Sequence, residues 1–149
     1  MIEIRELEDV TPDVVAAFQR LTPQLSSSAP APTAGELAEI VASDTTVLLI
    51  AVDSEATGEA AIRGSMTLVV FRIPTGVRAW IEDVVVDASA RGAGVGAALN
   101  RRAIEIAHDR GARTVDLTSR PSREAANRLY ARLGFARRDT NVYRHARDD

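Results

Sequence analysis

Trp80-Ile81-Glu82-Asp83-Val84-Val85-Val86-Asp87-Ala88-Ser89-Ala90-Arg91-Gly92-Ala93-Gly94-Val95-Gly96-Ala97-Ala98-Leu99, running on to Arg110, decides how the rest of the chain is read. Ile81 to Val86 is rich in β-branched apolar residues, the composition of a buried strand. From Val95 on, Leu99, Ala103, Ile106 and Ala107 recur at helical spacing, with Arg101, Arg102, Glu105 and Arg110 on the other face. Gly111 suits the left-handed position past the helix end. Gly92, Gly94 and Gly96 stand between strand and helix, and glycine lets a backbone approach a ligand because no Cβ intervenes. A helix N-terminus offers unpaired N–H groups and the positive end of its dipole. With Arg91 at the mouth, this segment reads as an anion-binding turn.

The identity of the anion has to be argued. A Walker loop needs lysine before Ser or Thr, and the chain contains no lysine. Gly92, Gly94 and Ala97 satisfy G-x-G-x-x-A, and Asp116 stands about 20 residues further on, as a dinucleotide site would require. Three observations oppose that reading. Ala88 to Arg91 separate the strand from the first glycine, Asp116 lies inside an apparent strand, and too little chain remains for a second mononucleotide-binding half.

Arg91-x-x-Gly94-x-Gly96 resembles the [Q/R]-x-x-G-x-[G/A] signature of the GNAT superfamily of acetyl-CoA-dependent N-acetyltransferases. Ile81 to Val86 is similar to the strand before that signature, and to its counterpart in amino-sugar-phosphate and aminoalkylphosphonate acetyltransferases. Downstream, Asn127-Arg128-Leu129-Tyr130-Ala131-Arg132-Leu133-Gly134-Phe135 resembles the second block, x-L-Y-x-x-x-G-F. Two blocks in the right order are specific where either alone is weak. One departure is Arg123, which stands where the second block often carries asparagine.

Composition sets bounds. The chain has 149 residues, 46% of them hydrophobic, which suits one domain (1–149) with a real core. A net charge of −3 argues against a general basic field for nucleic acid. No apolar run approaches the roughly 18 residues of a membrane span, and the N-terminus lacks a signal-peptide pattern. Absence of cysteine fits a reducing, cytoplasmic setting and excludes disulfides, cysteine metal sites and a cysteine acyl-enzyme. His108 and His145 lack metal-ligand spacing, so no metal is expected.

Taken in order, Met1 to Leu7 is a short strand. Thr11 caps a helix that Pro12 opens, Val14, Val15, Phe18 and Leu21 line, and Pro23 ends. Ser26 to Pro32 has loop composition; it reads as a connector or, by the resemblance, as part of the acceptor pocket. Thr33-Ala34-Gly35-Glu36 is a capping box for a helix reaching about Ser43. Thr45–Val52, Ala60–Phe71 and Val77–Asp87 form an antiparallel meander, with turns at Asp53–Glu59 and Pro74–Gly76. Arg113–Thr118 follows as a parallel strand through a right-handed crossover. Pro121 and Ser122 open a fourth helix with Ala125, Ala126, Leu129 and Leu133 inward, which Gly134 ends. Phe135–Arg138 and Asn141–His145 make a last hairpin. The expected class is α/β with a mixed sheet: the GNAT fold, with about seven mostly antiparallel strands flanked by about four helices.

The resemblance implies a function. The strand at Val84–Val86 and the next one splay apart to hold pantetheine, with backbone groups of Val84, Val85 and Val86 pairing with its amides. Arg91, Gly92, Ala93, Gly94, Val95, Gly96 and Ala97 hold the pyrophosphate of acetyl-CoA, and Asn127 is a further cofactor contact. Tyr130 falls where the family places a phenol near the CoA sulfur, as general acid; a core tyrosine is the competing reading. Glu82 is the candidate base, directly or through water, against a structural carboxylate. Alternation places Trp80 and Glu82 on one face, Ile81 and Asp83 on the other, so one acid faces the acceptor. The expected reaction is direct acetyl transfer to a primary amine in a ternary complex. A small-molecule amine is favoured over a protein amine, the rival being a non-catalytic acyl-CoA sensor. No nucleic-acid or membrane partner is expected, and homodimer formation is left open.

Overall fold

The computed structural model describes residues 1–148, which divide into two compact units, Met1–Thr118 and the residues from Ser119 on. In the first, β1 (Ile2–Glu6), α1 (Pro12–Leu25), α2 (Ala34–Ala42), β2 (Thr46–Asp53), β3 (Ile62–Ile73), β4 (Gly76–Val86), α3 (Val95–Asp109) and β5 (Thr114–Asp116) follow in order. They build a five-stranded sheet, β1-β2-β3-β4-β5. Neighbours from β1 to β4 are antiparallel, and β5 runs parallel to β4 after the α3 crossover.

Local chemistry fixes the helix ends. The Thr11 hydroxyl accepts from the Val14 amide at 3.3 Å, and Pro12 takes the first helical position, where its missing N–H costs nothing. Contrary to expectation, Pro23 does not end α1, which continues to Leu25. Proline forfeits one bond to the carbonyl of residue 19, and exposed Gln19 leaves that carbonyl to water, while Ser26 N–H still reaches Thr22 O at 2.9 Å. Thr33 and Glu36 form the expected capping box, with reciprocal bonds of 3.1 and 3.0 Å.

The two sheet faces are covered by different helices. Val14, Ala17 and Leu21 of α1 and Leu37 of α2 pack with Leu48, Ile50, Ile62 and Val85. Val95, Leu99, Ala103, Ile106 and Ala107 of α3 are buried over the other face, to which alternation assigns Leu49, Ala51, Met66 and Leu68. Gly64 sets how closely β3 approaches its neighbours. A Cβ there would stand 2.9 Å from the Val85 carbonyl oxygen and 3.2 Å from Val95 Cγ1.

In the second unit, α4 spans Glu124–Arg132, so Pro121 and Ser122 precede the helix and do not open it. Tyr130 is buried and meets Phe135 edge-on, with ring centroids 5.8 Å apart. Gly134 has the expected left-handed φ of 93° past the helix. The expected hairpin over Phe135–Arg138 and Asn141–His145 is not formed: residues 135–148 carry no strand, and Val142 and Tyr143 are exposed. Its few apolar side chains are separated by arginines, and a two-stranded hairpin with so little to bury is marginal. The described residues therefore hold five strands where about seven were expected, and β5 is shorter than the Arg113–Thr118 reading.

Gly64→Ala should cost about 1–3 kcal/mol of overpacking, because backbone oxygen cannot yield as a flexible side chain would. Urea unfolding of the variant measures it, and an unchanged midpoint would refute the close approach.

Candidate functional site

β4 changes face midway. Thr67 pairs with Glu82 and Ser65 with Val85, so Met66 stands opposite two residues, Asp83 and Val84. This is a β-bulge, and Asp83 carries the extra residue with φ of 52°, a conformation aspartate tolerates better than β-branched neighbours would. Before the bulge, alternation holds as expected: Trp80 and Glu82 share a face, and the indole Nε1–H donates to Glu82 Oε1 at 2.7 Å. Beyond it parity inverts. Val85 joins the face of Glu82 and is buried under α1, while Glu82 and Asp83 are exposed.

The other edge of β4 is half open. Pairing with β5 covers only Arg78, Ala79 and Trp80, opposite Thr114, Val115 and Asp116. From Ile81 to Val86 that edge has no strand partner among the described residues. The Asp87 amide donates back to Arg63 O at 2.7 Å, toward β3, so alternation turns the backbone groups of Val86 and Val84 to the open side. Such an edge is a template for an extended, amide-bearing ligand.

That edge leads into a 3₁₀ turn, Ala88–Ala90, and then the glycine turn. Gly92 and Gly94 have φ of 82° and 79°, with open space where each Cβ would be, so conformation and not crowding demands glycine. Gly94 is the N-cap of α3 and no side chain caps it. The first helical bond runs from Ala98 N–H to Gly94 O at 3.0 Å, leaving the amides of Val95, Gly96 and Ala97 without helical partners. The first turn of α3 carries no acid, Arg91 and Ala93 are exposed, and the Val95 side chain is buried. Open amides, a dipole end and a guanidinium fit a diphosphate. A cleft of about 290 Å³ bordered by Glu6, Glu8, Leu48 and Arg110 draws nothing from β4 or this turn.

Several supporting residues escape sequence reading. Asp87, at the end of β4, is buried and accepts from Arg20 Nη1 at 2.6 Å, Gln24 Nε2 at 2.8 Å and Ser89 N–H at 3.1 Å, and also bonds the Ser89 hydroxyl. Its hydrogen bonds from Ser89 and Gln24, with help from Arg20, outweigh burial and hold the carboxyl far below the ordinary range. Arg20 further donates to Glu59 Oε2 at 2.9 Å and to the carbonyls of Glu59 and Ile62 at 3.0 and 2.6 Å. A charged residue beside Phe18 and Leu21 on an apolar helix face is the only hint the sequence offers. Asn100, fully buried in α3, donates to Gly96 O at 2.8 Å while its Oδ1 lacks a partner.

In the second unit, burial raises the Tyr130 phenol above its ordinary value, with Arg123 pulling weakly the other way. Asn127 Nδ2 donates to Arg120 O at 3.0 Å, bracing the turn before α4. Thus β4 and the glycine turn bring Glu82, Val84–Val86 and residues 91–97 into one continuous segment, and Tyr130 and Asn127 stand on a separate helix.

Comparison with known proteins bears on the family. The family model described as "Acetyltransferase (GNAT) family" matches residues 14–135. A rice (Oryza sativa subsp. japonica) protein named "Probable glucosamine 6-phosphate N-acetyltransferase 2" is 37% identical over 149 residues, 95% of this chain and 86% of that one. The crystal structure of a Trypanosoma brucei acetyltransferase superposes with a TM-score of 0.78 at 29% identity, covering 98% of this chain and 100% of the other. Glucosamine-6-phosphate N-acetyltransferase from Arabidopsis thaliana shares the fold, with a TM-score of 0.80 at 20% identity over 97% and 98% of the two chains.

The Asp87 network carries a pH signature. Its folded pKa is depressed, so its stabilisation is complete above the ordinary carboxylate range near 4 and drains away as pH falls through and below it. Asp87→Asn should flatten acid unfolding in that window, which urea melts across about pH 2 to 5 would register. An unchanged slope would contradict the assigned partners.

Proposed function

The chain belongs to the GNAT acetyltransferase family and is an N-acetyltransferase; on that premise we propose that it moves acetyl from acetyl-CoA to the primary amine of a small molecule, a phosphorylated amino sugar in the first instance. One observation carries the cofactor half: an unpaired β4 edge from Ile81 to Val86 runs straight into an uncapped helix N-terminus beside Arg91. Amide groups and a diphosphate at the corresponding spacing are what pantetheine and its nucleotide end present. The acceptor half rests on the 37% relative and on Glu82, an exposed carboxylate at the edge of the bulge.

The chemistry follows from charge. A primary amine arrives as ammonium, with a pKa near about 10, and must lose a proton before it attacks. Glu82 takes that proton directly or through water, and its hydrogen bond to Trp80 fixes one carboxylate oxygen, leaving the other for the acceptor. The amine nitrogen then bonds to the thioester carbonyl carbon as the carbon–sulfur bond breaks, and it sheds its second proton to solvent. The departing thiolate takes a proton from Tyr130, whose burial keeps the phenol protonated at neutral pH, and solvent restores it. The products are an acetamide and the CoA thiol, with one proton released from the ammonium. No nucleophile of the chain is needed, in keeping with its lack of cysteine.

Thiol release from acetyl-CoA with glucosamine 6-phosphate, and with other small amines in parallel, tests this reading. Tyr130→Phe and Glu82→Gln should each lower kcat by about 10²-fold with little change in acetyl-CoA affinity. Arg91→Ala should raise the KM for acetyl-CoA about tenfold, one charge-assisted contact being worth about 1.5–3 kcal/mol before solvent screening. Tight acetyl-CoA binding without thiol release for any amine would favour an acyl-CoA sensor instead.

A further inference from the structure

The buried group that the proposed chemistry leaves unused is the cluster around Asp87, and it lies where β4 becomes the anion turn. Gln24, in the last turn of α1, spends both ends of its amide on that junction. Its Oε1 accepts from the Ala88 N–H at 2.9 Å, and its Nε2 donates to Asp87 Oδ1 at 2.8 Å. Asp87 in turn caps the 3₁₀ turn through Ser89 N–H. Asp87 and Ala88, where the chain leaves β4, are therefore held from a helix more than sixty positions earlier in the chain. Arg20 neutralises Asp87, so the carboxylate does not oppose an anion at the N-terminus of α3.

We propose that Gln24 is a positioning residue for the diphosphate: it sets the departure angle of the chain at Asp87–Ala88, and so where the amides of Val95, Gly96 and Ala97 point. This rests on the acyl-CoA reading of that turn. A primary amide suits the task because it offers an acceptor to a backbone N–H and a donor to a carboxylate at once. A carboxyl at position 24 could accept from Ala88 but would meet the Asp87 carboxylate with a second negative charge. Methionine keeps the length and apolar stem and offers neither contact. Both substitutions leave the Arg20–Asp87 ion pair of 2.6 Å in place, whereas removing Arg20 would strip four acceptors and endanger the fold.

The test is calorimetric titration of CoA into the wild type, Gln24→Met and Gln24→Glu, alongside steady-state KM for acetyl-CoA and kcat. Gln24→Met should weaken CoA binding and raise KM by about tenfold while kcat stays within about twofold. A purely structural role would instead lower Tm and the active fraction, which reduces apparent kcat and leaves KM alone.

Gln24→Glu adds a pH readout. At about pH 8 it should bind CoA as poorly as the methionine variant. At about pH 5.5 the introduced carboxyl, its pKa raised beside Asp87, protonates into an amide-like donor, and the gap to wild type should close to within about threefold. The charged groups facing this position, or facing its partners Asp87 and Ser89, are Asp87, Arg20, Glu59 and Arg63, the last bonded to Ser89 and Asp53. They are common to all three proteins and cancel in the ratio. If wild type binds CoA and both variants match it, the positioning role is wrong and the acyl-CoA reading of the turn stands. If wild type fails to bind CoA, the acyl-CoA reading fails and takes this inference with it.

Discussion

One extra residue in β4 organises the site. With Asp83 and Val84 together opposite Met66, the strand turns over between Glu82 and Val85. An unbulged strand would put Val85 on the face opposite Glu82, because side chains alternate with period two. The bulge lets one strand present Trp80 and Glu82 outward and then bury Val85 beneath Leu21 and Leu37 on the same face. It also concentrates strain of about 1–3 kcal/mol at Asp83, next to the proposed chemistry, where the surrounding ladder holds it.

The electrostatics downstream depend on keeping two charges apart in effect though near in sequence. Asp87 would repel an anion at the α3 N-terminus if its charge were unbalanced. Arg20 and Gln24 satisfy it from the side of α1, and Ser89 from the 3₁₀ turn that follows. The glycine turn then carries only Arg91 and open amides toward solvent. A carboxylate that looks misplaced beside an uncapped helix N-terminus becomes a structural anchor once its partners are known.

Legibility follows the range of the interactions. The Thr33–Glu36 capping box, the Thr11–Pro12 helix start and the left-handed Gly111 depend on residues within a few positions, and all were readable. Two of the expectations that failed concern context. Pro23 sits in the final helical turn, where the lost bond faces water, and the tail hairpin has too little apolar surface to repay ordering its backbone. Tyr130 is buried, with an edge-on ring contact to Phe135 only five residues on.

The chain's pattern alone determined the order of elements from β1 to α4, the glycine turn between β4 and α3, and the shared face of Trp80 and Glu82, since each is written in spacing or residue type. Tertiary structure decided the rest: where β4 parts from β5, where its parity inverts, and which side chains of α1 hold Asp87. Those features arise from pairing register and from contacts between residues more than sixty positions apart, such as Arg20 and Asp87, and no local pattern encodes a distance of that kind.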